Sequence, residues 1–317
     1  MKLVVQIPCL NEAETLPLVL KSIPKKIAGI DEIAVLVIDD GCTDNTVAVA
    51  RAHGVEHFVH HPQRQGLARS FRDGLLRCLE LGADVIVNTD GDNQYPQASI
   101  PELIRPIVRR QADIVIADRQ VHRIAHFSRG KKILQRLGTR VLNAAAGTRV
   151  PDAPSGFRAY SRDAALRLNV VTRFSYAMET LIQAGNKGLA ITSVPITVNP
   201  KTRESRLFRS SAEHVVKSGV AIARAFIMYR PYVLFASLGA ALFVAGAVPF
   251  VRYLYFVVAD TGRGHLQSLV LGSVLLIASF IACTLGIVAD LIRINRVLIE
   301  DGLEQAKRTR YTQASKK

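Results

Sequence analysis

Residues 84–96 read DVIVNTDGDNQYP, an apolar run rich in β-branched residues that ends in two aspartates separated by one glycine. Such a run predicts a buried strand, and the glycine predicts a tight turn at its end. Two earlier apolar runs, residues 3–7 and 33–38, are followed in the same way by PCLNE (8–12) and DDGCTD (39–44). Polar and acidic residues therefore follow three separate predicted strands.

Predicted strands alternate with predicted helices along the first two hundred residues. The strands are expected at 3–7, 33–38, 55–59, 84–88, 114–117 and 191–194, and the helices are expected to begin near Glu12, Thr43, Gly66, Ala98, Ser128 and Tyr176. This alternation indicates an α/β fold, a mostly parallel sheet with helices on both faces. Ligands of such sheets bind beyond the carboxyl ends of the strands, so the three polar segments are expected at one binding edge.

The three polar segments fit a site for a nucleotide diphosphate and a divalent metal. Asp90 and Asp92 offer two carboxylates around a turn, and Gln94 adds a ligand or a hydrogen bond to bound water. Hard oxygen ligands suit Mg²⁺ or Mn²⁺, which would neutralise a leaving diphosphate as a Lewis acid. Each segment alone also has a structural explanation, because Asn11 or Asp44 can serve as a helix N-cap.

Two long apolar segments follow the α/β part. Residues 232–251 and 268–289 contain no charged residue, and at about 1.5 Å per residue each is long enough to cross about 30 Å of hydrocarbon. Two buried helices of a soluble protein are the alternative. Lysines and arginines are dense before the first segment and after the second. The positive-inside rule therefore predicts an integral membrane protein with both termini and the α/β part in the cytoplasm.

The flanks of these segments complete the predicted organisation. Residues 211–229 mix apolar and basic residues at helical spacing, which predicts an amphipathic helix on the membrane or packed on the α/β domain. We therefore expect a catalytic domain (1–208), a juxtamembrane segment (209–231), two membrane helices (232–290) and a basic cytoplasmic tail (291–317), partly disordered or facing lipid from residue 303. Gly239 and Gly246 would allow close helix packing, which leaves a homo-oligomer open.

The formal net charge of +15 suits an anionic partner. The basic residues thicken toward the apolar segments, which favours a membrane surface. Acidic strand ends and the lack of an aromatic stacking platform argue against a nucleic acid. The four cysteines contain no C-x-x-C pair, so neither a zinc site nor a disulfide framework is predicted.

These motifs together resemble the family 2 glycosyltransferases of the GT-A fold, a Rossmann-like α/β fold. The general marks of that family are matched by residues 8–12, by the Asp39-Asp40-Gly41 turn and by Asp90-x-Asp92. The segments DGDNQ (90–94), DAPSGF (152–157) and ESRL (204–207) are similar to the dolichol-phosphate mannose synthase and polyprenyl-phosphate glycosyltransferase branch. With the amphipathic segment and the two predicted spans, the resemblance covers nearly the whole chain.

The resemblance implies donor-side roles for the residues at the strand ends. Gln65 and Gly66 stand where the branch usually has an Asn-x-Gly turn near the base. The implied donor-binding residues are Pro8, Asn11, Glu12, Asp39, Asp40, Gln65, Gly66 and Asp90. The implied metal ligands are Asp90, Asp92 and Gln94, for Mg²⁺ or Mn²⁺.

The resemblance also implies an acceptor side built from arginines. Arg119 and Arg136 match residues that would grip a lipid phosphate, and Arg140 competes with Arg136 for that role. Arg203 and Arg206 would lie on a mobile acceptor loop and contact the diphosphate.

The expected catalytic residues are Asp90, Asp92, Asp152 and Arg119. Asp152 would position the acceptor, or it would form a structural turn. Some relatives place an aspartate where this chain has Gly156, so no general base is predicted there. None is needed for a phosphate monoester, because its second pKa is about 6 and it is already a nucleophile near neutral pH.

The implied reaction is transfer of a hexose from a GDP- or UDP-sugar to a polyprenyl or dolichyl phosphate at the cytoplasmic membrane face, with inversion at the anomeric carbon. A glycosyltransferase for another lipid acceptor is the first alternative. A non-catalytic membrane protein that binds nucleotide-sugars is the second, although such a protein would be expected to have lost the metal ligands. A processive polysaccharide synthase needs a Q-x-x-R-W motif, and this chain has no tryptophan.

Overall fold

The first strand, β1 (Lys2–Cys9), is buried along its whole length after Lys2. Its near-continuous apolar run is what a central strand needs when helices cover both faces of the sheet. The structure is a computed structural model that describes residues 1–121, 129–171, 176–200, 220, 231–258 and 266–314. Within these residues the chain forms two compact units, one of residues 1–223 with 300–317 and one of residues 224–299.

Seven strands form the sheet of the first unit in the order β3-β2-β1-β4-β6-β5-β7. β6 runs antiparallel to both of its neighbours, and the other strand pairs are parallel. The mostly parallel α/β fold is thus confirmed. After β1 the strands are β2 (Glu32–Asp39), β3 (His57–His60), β4 (Val85–Asn88), β5 (Ile114–Asp118), β6 (Arg158–Ser161) and β7 (Ile191–Pro195).

Helices cover both faces of this sheet. The described helices are α1 (Leu16–Ser22), α2 (Thr46–Ala52), α3 (Leu67–Glu80), α4 (Ile100–Val108), α5 (Arg129–Ala146), α6 (Arg162–Arg167), α7 (Tyr176–Asn186), α8 (Pro231–Val258) and α9 (Leu266–Ala314). Buried side chains of α1 and α4 pack in one cluster with Leu3, Val5 and Ile7 of β1. On the opposite face, Gly74 of α3 lies against Gln6.

The sequence pattern missed one strand and one helix. β6 holds only four residues and begins with Arg158, a side chain that is fully buried. The Arg158 guanidinium donates to the carbonyl oxygens of Ala153, Ser155 and Ala177. A buried arginine hides the strand from any hydrophobic pattern, and the six residues of α6 are too few to show helical periodicity.

The second unit contains α8 and most of α9, both long and apolar enough to cross a membrane. In their most apolar 18 residues, 11% of α8 and 22% of α9 is buried, whereas core helices of soluble proteins are mostly buried. Glycines allow the two helices to touch, because a Cβ on Gly272 would lie 2.9 Å from the carbonyl oxygen of Gly246. Gly239 and Gly246 therefore serve packing within this chain. The predicted amphipathic segment 209–231 lies outside the described residues except Val220 and Pro231.

The last part of α9 belongs to the first unit. Lys307 Nζ donates to the carbonyl oxygen of Leu168 and to Asn169 Oδ1, each at 2.7 Å. Arg308 pairs with Asp163, and the side chain of Tyr311 is buried. The expectation of a partly disordered or lipid-facing tail from residue 303 is therefore wrong for residues 303–314, because these contacts hold the helix against the catalytic unit.

Candidate active site

The three polar segments lie side by side at one edge of the sheet. β2, β1 and β4 are neighbours, with Cys9 in register with Asp39 and Gln6 in register with Asn88. Because these strands are parallel, the loops that follow them leave the sheet at the same edge. The sequence placed the segments there correctly, although the roles of their residues remain predictions.

Asn11 joins the loop after β1 to the loop after β2. Its backbone has a φ of 58°, and its Oδ1 accepts a hydrogen bond from the N–H of Thr43 at 2.8 Å. A cleft of about 570 Å³ lies between these loops, lined by residues 11–15 and 43–45. Glu12 is buried on its wall, and Pro8 is buried within β1.

Asp39 is held ionised at the end of β2. Its Oδ1 accepts from the N–H of Cys42 at 2.7 Å, and its Oδ2 lies 3.1 Å from His60 Nδ1. Burial opposes its charge, but these hydrogen bonds outweigh burial and lower the pKa of Asp39. An acceptor-only carboxylate at the end of β2 suits the hydroxyls of a ribose.

Asp40 is turned into the protein. Its Oδ1 accepts from the N–H of Gln65 at 2.8 Å, and its Oδ2 accepts from the N–H of Gly66 at 2.9 Å. His61 Nδ1 lies 2.9 Å from Oδ1, and the Asp40 side chain is only 6% exposed. Two hydrogen bonds thus link Asp40 with Gln65 and Gly66, which were expected separately on the donor side, and these bonds order the 65–66 turn.

The segment from Asp90 to Gln94 forms the turn after β4. Asp92 Oδ1 accepts from the N–H of Gln94 at 3.1 Å, and Asn93 has a φ of 59°. Asn199, which follows β7, donates its backbone N–H to the carbonyl oxygen of Gln94 and its side-chain amide to that of Asn93, both at 2.9 Å. No sequence motif marked Asn199, since its two partners lie more than a hundred residues earlier.

This turn carries oxygen ligands that fit a divalent metal. The carboxylates of Asp90 and Asp92 are partly exposed, as is Gln94. Across the described ranges, no group of three His, Cys, Asp or Glu side chains converges to hold a metal by itself. Two carboxylates with few further protein ligands suit Mg²⁺ or Mn²⁺, which commonly take their remaining ligands from substrate phosphates and water.

Tyr95 and Tyr176 flank Gly156 beside Asp90, and these four residues are called the floor of the site. The N–H of Gly156 donates to Tyr95 Oη at 3.1 Å, while Tyr176 Oη donates to the carbonyl oxygen of Gly156 at 3.1 Å. Asn88 Nδ2 lies 2.9 Å from Tyr176 Oη. Burial raises the pKa of Tyr95 to about 12 and that of Tyr176 well above its ordinary value, so neither phenol is a base at neutral pH. The sequence reading missed Tyr176, because it comes from a distant helix.

Gly156 is the one position on this floor without room for a side chain. A Cβ there would lie 2.9 Å from Tyr176 Oη and 3.4 Å from Asp90 Oδ2. A side chain at position 156 therefore requires Tyr176 to shift.

Arg119 and Asp152 form a buried ion pair. Arg119 Nε lies 2.7 Å from Oδ2, and Nη2 lies 2.9 Å from Oδ1, so the pair is bidentate. The Asp152 side chain is 1% exposed and that of Arg119 is 19% exposed. Burial works against the charge of Arg119, but Asp152 outweighs burial and raises its pKa. The structure brings these two predicted residues together, with Gln135 of α5 reaching the same carboxylate at 3.4 Å.

The remaining predicted arginines separate into two groups. Arg136 and Arg140 are exposed, one helical turn apart on α5. Arg203 and Arg206 lie outside the described residues.

Comparison with known proteins identifies the family of this chain. The family model for glycosyl transferase family 2 matches residues 4–168. The undecaprenyl-phosphate mannosyltransferase of Micrococcus luteus is 28% identical over 218 residues, which cover 65% of this chain and 88% of that protein. The polyprenol monophosphomannose synthase of Mycolicibacterium smegmatis is 25% identical over 202 residues, which cover 60% and 75%.

A solved structure shares the fold. The glucosyl-3-phosphoglycerate synthase of Mycobacterium tuberculosis, crystallised with Mn²⁺, uridine diphosphate and glucosyl-3-phosphoglycerate, superposes with a TM-score of 0.54 at 24% identity, covering 71% of this chain and 78% of that one. The family match spans more than half of the chain, including the strand ends that carry Asp39, Asp90 and Asp92. The chain therefore belongs to glycosyl transferase family 2 and is a glycosyltransferase.

Proposed function

We propose that this enzyme transfers a hexose from a GDP- or UDP-sugar to a polyprenyl phosphate at the cytoplasmic face of a membrane. The observation that carries the proposal is that Asp90, beside Gly156, lies close enough to the buried Arg119–Asp152 pair for its charge to act on Arg119. The acidic donor side suits a metal-bound diphosphate, and the cationic acceptor side suits a phosphate nucleophile. The names of the two mannosyltransferase relatives support the same acceptor.

On the donor side, Asp39 would accept hydrogen bonds from the ribose, while Glu12 and Pro8 would border the base. Asp90, Asp92 and Gln94 would hold Mg²⁺ or Mn²⁺, which when bound neutralises charge on the leaving diphosphate. The Asn199 contacts would keep the turn of Asp92 and Gln94 in place. The chain's own contribution is thus positioning and charge, the main sources of rate in transfers of this kind.

On the acceptor side, Arg119 would bind the lipid phosphate. A guanidinium carries five N–H groups, and Asp152 engages only those on Nε and Nη2. Asp152 would therefore orient Arg119 rather than act as a base. The phosphate oxygen would attack the anomeric carbon in line with the departing diphosphate, which inverts its configuration.

The exposed side of α5 suits a lipid-water boundary. Arg136 and Arg140 alternate there with Leu137, which is 55% exposed, and Val141, which is 37% exposed. Basic heads beside apolar side chains favour an interface with anionic lipid. We place both termini in the cytoplasm because of the basic flanks of α8 and α9.

Transfer assays test the proposal. The detergent-purified protein would be incubated with a short polyprenyl phosphate, Mn²⁺ and, separately, radiolabelled GDP-mannose, UDP-glucose and UDP-N-acetylglucosamine. We expect label in the organic phase from one donor, and loss of that label in Asp92→Asn. Asp31→Asn is the matched control, since Asp31 is exposed and pairs with the N-terminus at the other end of the sheet.

Each negative result would point to a different error. Donor binding without lipid label from any of the three sugars would reject the polyprenyl phosphate acceptor or this set of donors, and a wider acceptor screen would separate the two. If neither GDP nor UDP bound, the donor site itself would be misassigned. An N- or C-terminal reporter found outside the cytoplasm would overturn the topology.

A further inference from the structure

His61 lies directly after β3 and is buried between two carboxylates. Its Nδ1 lies 2.9 Å from Asp40 Oδ1, and its Nε2 lies 3.2 Å from Asp73 Oδ2. The ring therefore bridges the two carboxylates, with one nitrogen against each. Asp73 is also bound by Arg69 at 3.1 Å and by Arg72 at 2.9 Å.

The first carboxylate, Asp40, joins two turns of the donor side. It follows β2 and accepts the N–H groups of both Gln65 and Gly66. The turns also meet backbone to backbone, because a Cβ on Gly41 would lie 2.7 Å from the N of Arg64. Gly66 has a φ of 94°, which few residues other than glycine adopt. The position of the second turn therefore depends on where the Asp40 carboxylate is held.

We propose that His61 is a positioning residue for donor binding. It acts through Asp40, and Asp73 binds the other nitrogen of its ring. It contacts neither substrate, but it fixes the carboxylate that keeps the 39–41 turn against the 64–66 turn. This inference rests on the proposed donor site, whose Asp39 is the chain neighbour of Asp40. The metal turn follows β4 and Arg119 follows β5, so the chemistry itself does not depend on His61.

The expected signature is a change in donor affinity rather than in turnover. Without the ring, the buried Asp40 side chain keeps only its two backbone donors, and the turns are free to separate. Losing a hydrogen bond in a buried site costs enough free energy for the donor Kd and KM to rise about 10-fold or more. At saturating donor, kcat should stay within about threefold of the wild type.

The experiment uses the full chain in detergent. Binding of GDP and of UDP with Mn²⁺ is measured by calorimetry, and KM and kcat by lipid transfer, for wild type, His61→Gln and Asp73→Asn. His53→Gln is the matched control, because His53 is exposed and its ring contacts only the carbonyl oxygen of Val49 among the described residues. We expect a large loss of affinity in His61→Gln, a smaller one in Asp73→Asn and none in the control.

A double variant separates positioning from general destabilisation. Asp40→Asn replaces one carboxylate oxygen with an N–H donor, so it loses the hydrogen bond from Gln65 or from Gly66. Because His61 acts through Asp40, Asp40→Asn combined with His61→Gln should bind the nucleotide no more weakly than Asp40→Asn alone, whereas independent destabilisation would add. If His61→Gln does not fold, Asp73→Asn gives the decisive binding measurement. Unchanged nucleotide affinity in a folded His61→Gln or Asp73→Asn protein, even with a lower unfolding midpoint, would overturn the inference alone. A wild-type protein that bound neither nucleotide would overturn the proposed donor site and this inference with it.

Discussion

The substitution Gly156→Ala tests how tightly the floor of the site is packed. The new Cβ would lie 2.9 Å from Tyr176 Oη, about 0.5 Å closer than ordinary contact between such atoms. Tyr176 has no room to withdraw, since its ring stacks on Phe71 with centroids 4.1 Å apart. Its hydroxyl is also fixed by bonds to Asn88 and to the carbonyl oxygen of Gly156.

These contacts set the expected magnitude. Overpacking a buried site costs about 1–3 kcal/mol, and disturbing the buried hydrogen bonds of Tyr176 adds about 1 kcal/mol. We therefore expect Gly156→Ala to lower the free energy of unfolding by about 2–4 kcal/mol. Because the same Cβ would lie 3.4 Å from Asp90 Oδ2, sugar transfer should fall even where the protein remains folded.

The assay is chemical unfolding of the detergent-purified protein, with Tyr176→Phe and the double variant beside Gly156→Ala. Removing the hydroxyl relieves the clash, so the two changes together should cost at least about 1 kcal/mol less than their sum. Gly302→Ala is the control, because no atom lies within 4 Å of a Cβ on this exposed helical glycine; it should be neutral or stabilising by up to about 1 kcal/mol. A Gly156→Ala protein as stable as the wild type, or a double variant without rescue, would refute the packing argument.

Three further perturbations have defined outcomes. Asp152→Asn leaves Arg119 buried without its carboxylate and should cost about 3–5 kcal/mol in chemical unfolding, with loss of transfer; a stable variant would contradict the pairing. Burial opposes the charge of Asp44, but hydrogen bonds from neighbouring groups outweigh burial and lower its pKa. The stabilisation that Asp44 contributes is therefore present above its unfolded pKa of about 4 and is lost as pH falls through its folded pKa. Asp44→Asn should flatten the acid side of a plot of unfolding midpoint against pH. An unchanged plot would argue against this role. Tyr311→Ala should lower stability by about 3 kcal/mol, whereas Arg310→Ala, at an exposed pair, should change it by less than about 1 kcal/mol; equal effects would argue against docking of the C-terminal helix.

The sequence predicted those features of the site that depend on local pattern. Apolar runs ending in acidic residues located the strand ends, since a buried parallel strand must be apolar and its ligands gather beyond its carboxyl end. The turn of Asp90 and Asp92 needed only its own five residues to be recognised. Helix starts were less accurate, because the turns after β1 and β2 are ordered by hydrogen bonds such as those of Asn11 and Asp40 before helical geometry begins.

The features that could not be predicted depend on contacts between distant residues. Asp152 and Arg119 were each expected on the acceptor side, but nothing in the sequence pairs them across 33 positions. From the sequence Asp40 is expected to bind a ligand, but in the structure its carboxylate contacts His61 and the 65–66 turn instead. Tyr176 packs against Gly156 from a helix twenty residues later. In each case the partner is chosen by the fold, and burial then decides which charge or hydroxyl is available to a substrate.

That burial also bears on which acceptor the site suits. An alcohol acceptor must lose a proton as it attacks, which requires a nearby base. Around Gly156, Tyr95 and Tyr176 have raised pKa values and stay protonated, and Asp152 is neutralised by Arg119. On our proposal the Asp90 carboxylate is committed to the nucleotide and the metal. A phosphate monoester needs none of these groups as a base, because it is mostly dianionic above a pH of about 6, and the cationic Arg119 would favour that dianion. The arrangement of this floor therefore favours an acceptor that arrives already ionised over a lipid that presents a hydroxyl.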